Sequence, residues 1–133
     1  MRGWVGNIER ETVENGTFRT VLFTGEHMQL TVMSIAPGED IGREKHDDVD
    51  QFLRVERGTG RLELGSTEGA VDETHDVEDD WAMVVPAGLW HNVVNTGEGE
   101  LKVYSIYTPP EHPDGTVHRT KAEALEAEKA HHG

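Results

Sequence analysis

The stretch EKHDDVDQ, Glu44 to Gln51, sets a carboxylate, an imidazole and an amide within a few residues of one another. Side chains two apart on an extended segment share a face, so Glu44 and His46 point the same way. Gln51 returns to that face if a turn at Asp47-Asp48 or a bulge intervenes. Leu53 and Val55 then continue inward, while Phe52, Arg54 and Glu56 face away. A second imidazole is available from His91, which the tight turn Pro86-Ala-Gly88-Leu-Trp90 delivers to the start of a strand. Two histidines and one carboxylate, with a neutral oxygen donor, suit a divalent first-row metal such as iron, manganese, zinc or nickel. The open positions are those that non-haem iron oxygenases use. Asp50 is the rival of Gln51, with the better ligand chemistry of a carboxylate. Asp47 and Asp48 read as turn residues.

Other polar residues are candidates for work beside such a centre. His112 and His118 sit in the proline-bearing segment PPEHPDGTVHRT, which reads either as a surface tail or as a flap supplying a general acid or a substrate contact. Arg19, if it faces inward, could clamp an anionic substrate. His75 reads as exposed in an acidic loop, and His27 as a turn residue. Trp81, Trp90, Met28 and Met33 read as core.

The elements that must position these groups are short strands. TFRTVLFTG (17–25) reads as a strand ending in a turn. MQLTVMSIAPG alternates at Met28, Leu30 and Val32, then Ile35, and stops at Pro37-Gly38. Residues 51–56 and 61–64 flank Gly58-Thr-Gly60 as a hairpin. WAMVVPAG and WHNVVNTG read as strands with turns. LKVYSIYTPP alternates at Leu101, Val103, Ser105 and Tyr107. Some nine or ten strands, with turn signals roughly every 8–12 residues, describe an all-β sandwich or barrel. One helix is expected near the end, where Thr120-Lys-Ala-Glu123 forms a capping box ahead of helix-forming residues. Its apolar positions are mostly alanine, so it should pack only lightly. The chain divides into an N-terminal arm (1–16), whose first ten residues are expected to be loosely held, a barrel (17–110), and a C-terminal flap and helix (111–133).

The 133 residues are enough for one domain with a real core. A formal charge of −14, from 26 acidic and 12 basic residues, argues against nucleic acid and anionic membrane surfaces as partners. There are no cysteines, so disulfides, thiolate metal sites and a cysteine nucleophile are excluded. MRGWVGNIER has no apolar run of the secretory kind, and no segment is long and apolar enough to span a bilayer. A cytoplasmic location is the expectation.

The two polar segments together resemble the cupin superfamily. Its first motif runs glycine, five residues, His-x-His, three or four residues, glutamate, six residues, glycine. This chain has Gly38, five residues, Glu44-x-His46, four residues, Gln51, six residues and Gly58. The six-residue gap to Gly58 favours Gln51 over Asp50. The second motif ends in Pro-x-Gly-x-x-His, with asparagine after three further residues, matched here by Pro86, Gly88, His91 and Asn95. Its leading glycine falls at Asp80. Glu44 replaces the first histidine, and Gln51 replaces the glutamate. The resemblance covers roughly residues 17–108. It implies a double-stranded β-helix, or jelly roll, with a metal at the barrel mouth. The chain also looks like small single-domain cupins labelled mannose-6-phosphate-isomerase-like. The resemblance implies a metal-dependent enzyme, a dioxygenase or an isomerase, acting on a small polar molecule at Glu44, His46, Gln51 and His91. A homodimer is also implied, because small cupins commonly pair. The alternative is a non-catalytic small-molecule-binding or sensor cupin.

Overall fold

The computed structural model describes residues 2–132, with side chains through residue 129. The elements run α1 (Ile8–Glu14), β1 (Arg19–Thr24), β2 (Gln29–Ile35), β3 (Asp50–Arg57), β4 (Thr59–Gly65), β5 (Glu73–Glu78), β6 (Ala82–Val85), β7 (Trp90–Asn95), β8 (Leu101–Thr108), β9 (Val117–His118) and α2 (Lys121–His132). Six strands form one antiparallel sheet in the order β6-β3-β8-β2-β1-β9, and three form a second in the order β5-β4-β7. The two sheets enclose a jelly-roll interior, as the resemblance to cupins implies.

The register of β2, β8 and β3 arranges the interior in layers. Gln29, Tyr107 and Gln51 lie side by side, then Thr31, Ser105 and Leu53, then Met33, Val103 and Val55. All nine side chains are buried. The barrel is therefore polar at one end and apolar at the other. Ile35, Leu62, Val93 and Leu101 complete the apolar end. Truncating one of its fully buried residues, such as Leu53, would cost about 2–5 kcal/mol.

This register corrects the expected phase of β2. Its inward residues are Gln29, Thr31, Met33 and Ile35, whereas Met28 is exposed and Leu30 half-buried. Leu30 belongs instead to a row on the outer sheet face, in register with Phe23, Ile106, Phe52 and Val84. Apolar residues thus occupy both faces of β2, and the polar ones at its start face the mouth. Trp81 is half-exposed and Trp90 only partly buried, so of the four residues expected in the core Met33 alone lies there.

A second helix stands where a loose arm was expected. Asn7 caps α1 by accepting a hydrogen bond from the Arg10 amide at 3.0 Å, and Thr12 is fully buried, its hydroxyl donating to the Ile8 carbonyl at 2.7 Å. A two-turn helix is too short to display an apolar period, which is why the sequence pattern hides it. The α2 cap forms as expected, with Glu123 N donating to Thr120 Oγ1 at 3.2 Å. The Glu123 carboxylate reaches back one residue further, to the Arg119 amide.

Backbone geometry explains two motif positions. Asp80, where the second motif has its leading glycine, has φ +75°, a left-handed conformation that aspartate tolerates better than most residues. Its Oδ1 accepts from Arg54 Nη2 at 2.7 Å. Gly58, at the β3–β4 crossing, has φ +95°, and an added Cβ would lie 2.8 Å from the Glu100 carbonyl oxygen. Gly38 has φ +80° but open space around it. Gly38→Ala is therefore expected to cost about 1–2 kcal/mol of backbone strain. Gly58→Ala adds a clash against backbone and should cost about 2–4 kcal/mol, read from urea unfolding midpoints of the two variants.

Candidate metal centre and its cavity

The segment between β2 and β3 forms no regular strand, yet it is tied down. Glu44 and His91 exchange backbone hydrogen bonds of 2.9 Å in each direction, and Ile41 N donates to the Val93 carbonyl at 3.1 Å. The Gly88 amide donates to the His46 carbonyl at 2.8 Å. The turn that delivers His91 thereby also holds His46. Asn95, at the end of the same motif, is buried and structural. Its Nδ2 donates to the carbonyls of Ile35 and Gly99, and its Oδ1 accepts from Gly97 N.

Four side chains converge at the polar end of the barrel. Glu44 Oε1 lies 3.4 Å from His46 Nε2 and 3.5 Å from His91 Nε2. His91 Nε2 is 3.1 Å from Gln51 Oε1. One ligand atom from each of Glu44, His46 and His91 fits within a span of 4.8 Å. Gln51 is buried, with its amide nitrogen 3.4 Å from Ser105 Oγ. Asp50 points elsewhere: its Oδ1 accepts from the Ala87 amide at 2.8 Å on the exposed side of β3. The geometry thus brings Gln51, and not Asp50, to the cluster.

Proton counting shows what this cluster requires. A neutral imidazole carries one N–H and one acceptor nitrogen. His91 Nδ1 faces the Leu89 carbonyl at 3.3 Å, while its Nε2 faces two oxygens. His46 Nδ1 faces Glu111 Oε1 at 3.4 Å, and its Nε2 faces Glu44. Each ring therefore has oxygen acceptors at both nitrogens. For His46, which faces a carboxylate at each nitrogen, this calls for two protons or a cation at one nitrogen. His46 Nε2 is buried and has no well-aligned hydrogen-bond partner. Ligand atoms about 2.1 Å from a common ion lie roughly 3.0–3.4 Å apart for octahedral or tetrahedral angles, close to the spacings here. The residues present fit a divalent metal.

Without a metal, the charges settle on the protein. Burial alone would raise the Glu44 carboxyl, but hydrogen bonds with His46 and His91 outweigh it and hold the group well below the usual carboxylate range. Burial would likewise lower the His46 imidazole. Hydrogen bonds to Glu111 and Glu44, with their charges, push it up to about 10 instead. Glu111 is lowered chiefly by its bond to His46. Burial pushes the Tyr107 hydroxyl above its ordinary range.

Glu44 and His46 of the cluster line a cavity of about 880 Å³. The C-terminal segment supplies much of its wall, including Glu111, His112, His118, Lys121 and Ala124. Buried Gln29 fastens this segment to the barrel. Its Oε1 accepts from the amides of Glu111 and His112 at 3.1 and 2.9 Å, and its Nε2 donates to the His112 carbonyl at 2.7 Å. His112 stands edge-on to Tyr107, with ring centroids 5.1 Å apart. Lys121 pairs with Asp40, tying α2 to the barrel rim. Glu111 and Gln29 were not among the residues singled out from the sequence. Gln29 was concealed by the phase of β2. No local signal marks Glu111, which reaches His46 because the chain folds back after Pro110. His75 and His27 are exposed and distant from this cluster, each beside a glutamate.

The chain belongs to the cupin-domain family, whose pattern it matches over residues 31–107. Over 125 residues it is 57% identical to the uncharacterized protein YrkC of Bacillus subtilis (strain 168), spanning 94% of this chain and 67% of that one. It is 39% identical over 115 residues to the uncharacterized protein L612 of Acanthamoeba polyphaga mimivirus, spanning 86% and 70% of the two chains. The crystal structure of BH2720 from Bacillus halodurans superposes with a TM-score of 0.93 at 54% identity, over 94% of this chain and 95% of that one. No helix among the described residues is long and apolar enough to cross a membrane.

His112 gives the cavity a measurable pH signature. Burial, reinforced by the nearby Arg19 cation, pulls its imidazole from 6.5 down to about 4. Between those values the unfolded chain takes up a proton that the folded one refuses. The stability that the neutral ring confers is thus complete above pH 6.5 and is lost as the pH falls toward 4. Its span is on the order of 3 kcal/mol. His112→Gln is expected to flatten this part of the acid limb, measured as unfolding free energy at stepped pH values.

Proposed function

We propose that this chain is a metal-dependent cupin enzyme acting on a small polar molecule. The observation that carries the reading is the pair of imidazoles, His46 and His91, each set between oxygen atoms, with Glu44 and His46 lining a cavity. Glu44, His46 and His91 would hold a divalent first-row metal, with the Gln51 carbonyl as a fourth, neutral donor. When bound, such an ion supplies Lewis-acid polarisation or oxygen activation, the chemistries of isomerase-type and dioxygenase-type cupins respectively.

The chain's own residues have defined tasks around that centre. Glu111 accepts a proton-bearing contact from His46 Nδ1, which leaves Nε2 directed at the cluster. The Leu89 carbonyl does the same for His91 Nδ1. Gln51 is held in place by Ser105 on the neighbouring strand. His112, uncharged at neutral pH and with Nε2 unpartnered, is the proposed proton acceptor on the opposite wall. α2 and the segment before it line the same cavity.

Metal loading tests this reading directly. Protein purified without added metal, or reloaded after chelation, should carry near one equivalent of transition metal by elemental analysis. His91→Ala should abolish loading, and His46→Ala should weaken it by about two orders of magnitude or more. Gln51→Leu should weaken it by roughly tenfold, the scale of losing a neutral or supporting group. Asp50→Asn should leave affinity unchanged. A chain that keeps its fold but takes up no metal would instead be a non-catalytic binding cupin.

A further inference from the structure

Arg19 is a buried cation without a counter-ion. It opens β1 directly opposite His118 of β9, so both side chains face the cavity. Only 7% of the residue is exposed. Its Nη1 donates to His118 Nδ1 at 3.2 Å, and its guanidinium carbon lies 5.3 Å from the centre of the Phe18 ring. The buried Tyr107 hydroxyl also faces this guanidinium. These contacts are with neutral groups and cancel no charge. Its Nε is buried and has no partner.

Two of the three carboxylates that line the cavity are committed elsewhere, and the third, Glu128, is exposed on α2. Glu44 serves His46 and His91, Glu111 serves His46, and Asp40 serves Lys121. No carboxylate pairs with Arg19 among the described residues. A guanidinium is always charged, and burying it unpaired is costly, so its position invites an anion from solution. The lysines on the cavity wall, Lys45 and Lys121, are paired with Asp47 and Asp40. That leaves one uncommitted permanent cation on the described wall, which matches a singly charged group better than a phosphate dianion.

We propose that Arg19, braced by His118, binds the carboxylate of a small organic acid beside the Glu44–His46–His91 cluster. This narrows the substrate of the enzyme proposed above and rests on the cavity being its substrate chamber, but anion binding itself does not require a bound metal. It also gives His118 a task other than proton transfer: its ring nitrogen holds the guanidinium fork in place.

The test uses the full chain labelled with nitrogen-15, both chelator-treated and zinc-loaded, titrated with sodium acetate. Saturable shifts of the Arg19 Nε–H and His118 ring resonances are expected in both forms. Arg19→Gln should abolish acetate binding, and Arg19→Lys should weaken it about tenfold, because an ammonium cannot match the carboxylate with a fork. Zinc uptake should be unaltered in both variants. An Arg19 resonance unmoved by acetate would overturn the proposal, as would acetate binding to Arg19→Gln at wild-type affinity. Inorganic phosphate that displaces acetate at lower concentration than acetate itself requires would overturn the assignment to carboxylates. Failure of the metal centre would appear separately, as absent zinc uptake with acetate binding retained.

Discussion

Glu44 and His91 exchange two backbone hydrogen bonds outside any regular strand, and the candidate site depends on them. Residues 40–46 lie beside β7 as an interrupted extra strand, with a second bridge at Asp40 and Val94. This places two side chains from distant parts of the sequence on one short ladder. The Gly88 amide fixes the His46 carbonyl from the other side. Side-chain convergence is thus inherited from main-chain pairing, which is more rigid than a loop held only by its side chains. The supporting strands lie below, where Leu53, Val55, Val93 and Val103 are fully buried.

The interior therefore separates two jobs along one axis. Its apolar layers contribute the burial that opposes chain entropy. The polar layer of Gln29, Tyr107 and Gln51 contributes little of that kind, and each of its groups would be costly if left unpaired. Gln29 uses both ends of its amide to hold the returning C-terminal segment. The same layer thus closes the polar end of the interior and fastens the segment that lines the cavity. Glu44, His46 and Glu111 form a chain of alternating charge whose members shift one another's protonation more strongly than burial does.

Much of this was legible from residue types and spacing. Short strands with regular turns indicated an all-β sandwich or barrel, and the resemblance of the two motifs to cupins implied the jelly roll. The cluster of Glu44, His46, Gln51 and His91 followed from the two-residue period and the Pro-x-Gly turn. Gln51 was preferred to Asp50 by its distance from Gly58, and the strand register agrees. What stayed hidden had physical causes. A one-residue phase error inverts a whole strand, and β2 carries apolar residues on both faces, so its polar inner members looked external. α1 is too short to show a helical period. Glu111 meets His46 only through the reversal of the chain after β8, a tertiary fact that no local pattern encodes. Arg19 was a candidate, but its burial and its lack of a carboxylate partner required coordinates.

The cavity wall contributed by α2 has a further consequence. Along this helix Ala124 is buried, whereas Leu125, Ala127 and Glu128 line the cavity while remaining exposed. Substitutions at those exposed positions remove almost no core contact, since surface changes generally alter stability little. The shape and charge of the chamber can therefore vary while the barrel and its polar cluster stay intact. This part of the cavity wall is thus set by positions on which folding hardly depends.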